Sequence, residues 1–222
     1  MRSQFLLHKP SAINLEPRGY SPQAGQAFYS SLLERVNKVP GVQAAGAARV
    51  TVLSGVSRTL GVSVDGQPIR PDLSNAIPVR ANTVSDRYLA TMGIPVIRGR
   101  GFESTDRPDS PRVAIISRSL ADRLWPGAEA IGRTLVSSTG SAEVIGIVPD
   151  TVYLRATERD PRPIFYTPLR QNCESGVSLH IRTDGDPLAI LPAVRQDRPR
   201  ARCAGCRGKV ASTRGRLRAV PW

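Results

Sequence analysis

The sequence predicts an α+β fold, and three observations carry that reading. One segment repeats apolar residues at helical spacing, and several others are short apolar or alternating runs suited to strands. In addition, 19 Gly and 19 Pro punctuate the 222 residues into short elements. At 40% hydrophobic residues the chain can bury a core, which excludes collagen-like, coiled-coil and wholly disordered classes. No apolar run approaches the ~18–20 residues that cross a bilayer. Residues 1–9 start basic but hold only three consecutive apolar residues before His8, so no export signal is expected.

The first element is a helix. Ser21 suits an N-cap and Pro22 the first helical position. Phe28, Leu32 and Val36 recur four apart with Tyr29 and Leu33 beside them, making one apolar stripe. Pro40-Gly41 ends it. The small residues of 42–50 predict a strand packed closely under that helix, and 60–64 a second strand closed by Asp65-Gly66. Three prolines make 67–78 a loop or edge.

The texture changes near Val79. A short helix is expected over 85–92, stopped by Gly93, then a short apolar run, Ile94-Pro95-Val96-Ile97, and a polar loop over 98–112. A buried strand at 113–116 leads into a helix over 117–125 with Leu120, Ala121 and Leu124 inward, ended by Pro126-Gly127. Strands follow at 134–136, 143–148, 164–168 and 177–182. In the last, Val177, Leu179 and Ile181 alternate with Ser178, His180 and Arg182, which predicts a half-buried strand. Asp186-Pro187 opens a final helix containing Leu188, Ile190, Leu191 and Val194.

After Val194 no period persists. Residues 195–222 hold nine Arg or Lys and one acid, Asp197, so this tail carries +8 of the net +13 and the preceding 194 residues only +5. A cationic segment poor in large apolar residues does not offset its ordering entropy, and a disordered basic tail is expected. Its arginines would bind phosphate in a salt-sensitive way. With Trp222 as its only aromatic it lacks stacking platforms, so nucleic acid is not the expected partner.

No reaction centre stands out. Cys203 and Cys206 have the spacing of zinc and redox pairs, but zinc needs two further ligands. Cys173, His8 and His180 supply no second close pair. Two incidental thiols are the expected reading. Three cysteines are compatible with an oxidising compartment without requiring one. There is no G-x-S-x-G elbow, H-E-x-x-H pair or phosphate loop. Gly99-Arg-Gly101 begins like a dinucleotide fingerprint but has Ser at 104 and no surrounding strand–turn–helix, so loop glycines are expected. Glu103, Asp106 and Asp109 could hold a hard cation. Arg100, Arg107 and Arg112 interleave with them and favour a salt-bridged loop. The expectation is no catalytic, cofactor-binding or metal-binding residue, no cofactor and no identifiable small-molecule substrate.

A resemblance then emerges over roughly 15–194. The stretch 20–42, with Ser31-Leu-Leu-Glu-Arg-Val36, three residues and Pro40-Gly-Val42, resembles the first helix of the MacB-like periplasmic core domain of FtsX-like ABC transporter permeases. The likeness strengthens at Val84-Ser-Asp-Arg-Tyr-Leu-Ala-Thr-Met-Gly-Ile-Pro95 through Phe102. It continues at Val113-Ala-Ile-Ile-Ser-Arg-Ser-Leu-Ala-Asp-Arg-Leu-Trp-Pro-Gly127, Ile131-Gly-Arg-Thr-Leu135, Glu143-Val-Ile-Gly-Ile-Val148 and Pro163-Ile-Phe-Tyr-Thr-Pro168. Within these motifs Gly93 and Gly127 suit helix ends, and Pro95 and Pro126 stop helices. Phe102, Leu124, Trp125 and Tyr166 suit core anchoring, and Gly132 and Gly146 close backbone approach.

The resemblance implies a non-enzymatic domain on the periplasmic face of the bacterial cytoplasmic membrane. A porter-like α/β subdomain would be split between 1–78 and 171–194, with a mixed α/β sabre-like subdomain inserted at 79–170 and the tail at 195–222. It implies as partners transmembrane permease helices, a cytoplasmic ABC ATPase whose motion the domain transmits, and a periplasmic protein. Substrate-binding residues do not carry over. The family's flanking membrane helices and a nucleotide phosphate loop do not occur in this sequence. Where the family would continue into another strand after Val194, the Arg-rich tail begins, so a truncated or frame-shifted product is expected. The alternatives are a free-standing basic protein contacting nucleic acid or anionic lipid through its tail, and a hydrolase using the acidic loop.

Overall fold

A computed structural model describes residues 4–7, 13–14, 22–51, 56–64, 67–72, 74–151, 163–172, 174, 176–186, 189–190, 192–193 and 218–220. The mixed α and β architecture agrees with the class read from the sequence. The apolar stripe builds helix α1 (Pro22–Asn37), which turns Tyr29, Leu32 and Val36 inward, with Phe28 and Leu33 half-buried on its flanks. Beneath it lie β3 (Val42–Ala48) and β11 (Gly176–Thr183), paired antiparallel. Ala45 and Ala47 present so little side chain that the helix settles directly on the sheet, among Val177, Leu179 and Ile181. Asn37 fixes the helix end: its side-chain amide donates to the Leu33 and Ala45 carbonyls and its Oδ1 accepts the Ala45 N–H.

Strand β1 (Gln4–Leu7) pairs antiparallel with β11, and β12 (Arg218–Val220) pairs antiparallel with β1. The order β12-β1-β11-β3 is that of a split βαβ sheet, with α1 joining β1 to β3. A short β2 (Ile13–Asn14) extends the pairing on β11. β12 departs from the expectation of a tail without structure: three of its residues occupy the open edge of β1. The remainder of 195–222 lies outside the described residues.

A second unit closes on itself. The strands β4 (Thr59–Val64), β5 (Ile77–Val84), β7 (Val113–Ser117), β8 (Thr134–Ser137), β9 (Gly140–Val148) and β10 (Ile164–Pro168) pair as β10-β7-β9-β8-β4-β5. A parallel β5–β10 pairing completes the ring. Strand alternation sorts the side chains to two faces. Val62, Val79, Ala81, Ala114, Ile116, Leu135, Val144, Ile147 and Phe165, drawn from all six strands, share one cluster with Leu120, Leu124 and Trp125 of and beside α3 (Arg118–Leu124). Ile115, Ile145, Ile164 and Tyr166 point the other way, onto α2 (Tyr88–Thr91) and Phe102. The core anchors expected at Phe102, Leu124, Trp125 and Tyr166 are all buried.

The two units meet along β5. Its first half pairs with β4, its second with β10, and Val84 with Ala48 of β3. The composition break near Val79 thus falls inside a continuous strand, and β4, which precedes it, pairs with β8. This strand was not expected from the sequence, because Pro78 and the polar Arg80, Asn82 and Thr83 disguise it. The buried Asn82, paired with Tyr166 of β10 through its backbone, also exchanges two side-chain hydrogen bonds of 2.9 Å with the Val50 backbone, N–H to Oδ1 and Nδ2 to C=O. Ser85 does the same for Ala47, accepting its N–H at the hydroxyl and donating its own N–H to the Ala47 carbonyl. The backbone of α2 rests on Gly46, where a Cβ would come within 2.7 Å of the Tyr88 Cα.

Several expectations need correction. β11 is buried on both faces, not one, because α1 covers Val177, Leu179 and Ile181 while α2 packs on the side carrying Ser178 and His180. The segment 98–112, expected as a loop throughout, begins with a pairing segment, β6 (Arg98–Gly99), laid against β9. Gly93 and Gly127 adopt the expected positive φ of 69°. Gly146 is the expected close approach, whereas Gly132 is needed for its φ of 81° and has open space around it. Of the last predicted helix, Ile190 is buried against α1, and 187, 188, 191 and 194 lie outside the described residues.

Candidate functional site

Among the described residues, two open clefts, one buried imidazole and one ion-paired loop are features from which a site could be built. The larger cleft, about 480 Å³, lies between the outer side of α1 and the turn before α2. Tyr29, Leu33, Ala45 and Leu169 give it an apolar floor, and Glu34, Lys38 and Arg87 a charged rim. Arg170 closes one end through a 2.7 Å ion pair with Asp86, while Gln26 donates to the Arg170 carbonyl.

The smaller cleft, about 340 Å³, opens where the two units join. Arg49 follows β3, Arg58 precedes β4 and Arg112 precedes β7, so three distant segments bring guanidinium groups to one concavity. Among the described residues the one carboxylate lining it is Glu174. Its oxygens accept Arg49 Nη1 at 2.9 and 2.6 Å, and the Thr83 hydroxyl at 2.9 Å. Gln171 forms part of the wall, donating to the Pro111 carbonyl and accepting the Val113 N–H.

The acidic loop is organised around one ion pair. Asp106 is 3% exposed and takes both arms of the Arg100 guanidinium, at 3.0 and 2.8 Å, and the Glu103 N–H at 2.8 Å. Burial alone would raise the Asp106 carboxyl, but the Arg100 fork, the Glu103 N–H and the guanidinium charge outweigh it, and the pKa falls below the usual value. Among the described residues no three or more His, Cys, Asp and Glu side chains converge as metal ligands would. Asp106→Asn should cost about 2 kcal/mol at neutral pH, as expected for a buried charged hydrogen bond. Because the folded pKa is depressed, the contribution is complete above the unfolded carboxylate range and lost as pH falls through the folded value. Denaturation midpoints for the two proteins should therefore converge in strong acid.

His180 was expected on the polar side of a strand; it is 1% exposed. Its ring stands edge-on to Tyr88, with centroids 5.2 Å apart, and neither nitrogen has a hydrogen-bond partner among the described residues. Burial pushes its pKa down to about 4. Gly99 sits at a strand crossing and Gly101 in an open loop, which removes the dinucleotide reading of that pair. His8, Cys173, Cys203 and Cys206 lie outside the described residues. Sequence reasoning missed the Arg49–Arg58–Arg112 convergence because these residues are 9 and 54 positions apart, with no local spacing signal.

The fold and its clefts define a domain organised by sheet continuity between two units, with open polar surfaces. The family model described as the MacB-like periplasmic core domain matches residues 2–193, and the chain belongs to that family. It is thus a periplasmic domain of the MacB-like ABC transporter permease class, a family that forms part of ABC transporter systems. No described helix is long and apolar enough to cross a membrane.

Solved structures share the fold. The periplasmic region of MacB from Actinobacillus actinomycetemcomitans aligns at a TM-score of 0.57 and 12% identity, over 88% of this chain and 82% of that one. A domain of a Porphyromonas gingivalis protein described as a permease aligns at 0.54 and 14%, over 99% and 89%. The extracellular domain of the noncanonic ABC-type transporter YknZ from Gram-positive bacteria aligns at 0.52 and 15%, over 86% and 88%. A comparison with curated proteins gave no match.

Proposed function

We propose that the domain is a non-enzymatic mechanical coupler. It passes ATP-driven motion of a cytoplasmic ATPase, received through permease transmembrane helices, to an export step or to a periplasmic protein partner. In this reading a porter-like unit, contributed by 1–78 and 171–194, carries a sabre-like lobe inserted at 79–170, with β4 pairing into that lobe.

The observation that supports it is β5. One strand is hydrogen-bonded to β4 and β10 of the closed unit and to β3 of the split sheet. The side chains around it form a shared apolar cluster from Ala48 and Val50 to Tyr166. A close-packed, hydrogen-bonded joint transmits displacement instead of absorbing it.

The test places one fluorophore on α1 at Glu34 and one on α3 at Arg123, in a permease carrying this domain reconstituted with its ATPase. Coupling predicts that trapping the ATPase in its nucleotide-bound state moves the labelled domain relative to the membrane while the Glu34–Arg123 distance stays fixed. A domain that keeps its position in every nucleotide state, with transport intact after its deletion, would refute the reading.

A further inference from the structure

We infer that the cleft walled by Arg49, Arg58 and Arg112 is an anion site, built for a phosphate group. This does not depend on mechanical coupling. Among the described residues the lining of the cleft holds three arginines and one carboxylate, an excess of two positive charges.

Glu174 is already engaged by Arg49 and Thr83. Arg58 forms a looser ion pair with it at 3.5 Å, beyond the usual N–H···O range, and its guanidinium makes no hydrogen bond among the described residues. Arg112 uses one N–H on the Thr139 carbonyl at 2.8 Å, and the rest of its fork makes no hydrogen bond among the described residues. Two forks with unused donors therefore open on the same space. Converging like charges repel, and an anion between them removes the repulsion while filling the donors in the bidentate geometry that guanidinium offers phosphate.

The surroundings are rigid enough to hold that arrangement. Gln171 is tied at both ends of its amide, Asn172 donates to the Pro168 carbonyl, and the Thr167 and Thr83 hydroxyls share a hydrogen bond. The buried Phe165 and Ala81 lie behind them. A volume of about 340 Å³ suits a small ligand. The charge rules out a cation as the occupant.

The test is calorimetric titration of the whole chain with inorganic phosphate, paired with flotation on phosphatidylglycerol and on phosphatidylcholine vesicles. Saturable phosphate binding is expected. Arg58→Gln and Arg112→Gln should each weaken it about tenfold, the size of one charge-assisted contact. Glu174→Gln, which removes the competing carboxylate, should tighten it. Arg118→Gln, an equal charge change on α3, should leave it unchanged. Arginine-dependent flotation on phosphatidylglycerol alone would assign the oxyanion to a lipid headgroup, and phosphate binding without flotation to a free ligand. Equal losses for Arg118→Gln and Arg58→Gln would reduce the effect to net charge and overturn the proposal. Equal affinity for glutamate would overturn the phosphate class. A variant that fails to fold is excluded by its thermal transition, and the opposite sign expected for Glu174→Gln separates an anion site from a merely structural cluster.

Discussion

Gly99→Ala is expected to destabilise the domain by about 3 kcal/mol, from overpacking together with left-handed backbone strain. Its neighbour substitution Gly101→Ala should change stability by no more than about 0.5 kcal/mol. Gly99 has φ +74°, and a Cβ there would collide with the Ile145 carbonyl oxygen and stand 3.0 Å from the Gly146 Cα. Gly146 is its register partner, and a Cβ on Gly146 would in turn meet the Arg100 carbonyl.

The backbone cannot retreat, because Ile97 N–H donates to the Ile147 carbonyl at 2.8 Å and Arg100 N–H to the Ile145 carbonyl at 2.9 Å. Any shift that accommodates the methyl breaks these bonds and lifts β6 from the wall of the closed unit. Gly101 has nothing within 4 Å of a built Cβ. Urea denaturation of both variants measures the contrast. Equal midpoints would show that the β6–β9 crossing is not the tight contact described.

That pair also shows what the sequence could convey. A Gly-x-Gly in a polar loop reads the same whether one glycine, both or neither is constrained, since the constraint is set by β9, more than forty residues away. Where the burying partner is local the reading succeeds. The period of Phe28, Tyr29, Leu32 and Val36 identifies α1 because a helix displays its own buried face, and Ala45 and Ala47 anticipate the close contact beneath it. Where two partners bury a strand from opposite sides, alternation misleads. Ser178 and His180 look solvent-facing in β11 because nothing local reveals that α2, about ninety residues earlier, covers them. β5 fails for a related reason, since Asn82 is paired by Tyr166 of β10, more than eighty residues later, and its polar side chain is satisfied by Val50, thirty-two residues earlier. The joint between the units and the arginine cleft beside it are likewise products of chain return, invisible to any window of neighbouring residues.

His180 should make stability fall by roughly 3 kcal/mol as pH drops from about 7 to about 4, taking 1.36 kcal/mol per pKa unit. The folded pKa is about 4 against an ordinary 6.5, with burial the cause. Between those values the unfolded chain binds a proton that the folded chain does not, so unfolding is favoured increasingly as pH falls. The stabilisation is complete above the unfolded pKa and exhausted below the folded one.

The difference in slope between the parent and a His180 variant across pH 6.5 to 4.5 isolates this imidazole from the carboxylates, which both proteins share. His180→Leu keeps a similar volume beside Tyr88 and Gly46 and removes two buried nitrogens that lack partners. The variant should be at least as stable as the parent near pH 7, since an unsatisfied buried polar group is replaced by an apolar one, and should show a shallower slope across the same window. Chemical denaturation at half-unit pH steps resolves this. Parallel curves for the two proteins would mean that the ring is protonated or solvated in the folded state, and that α2 does not seal the inner face of β11.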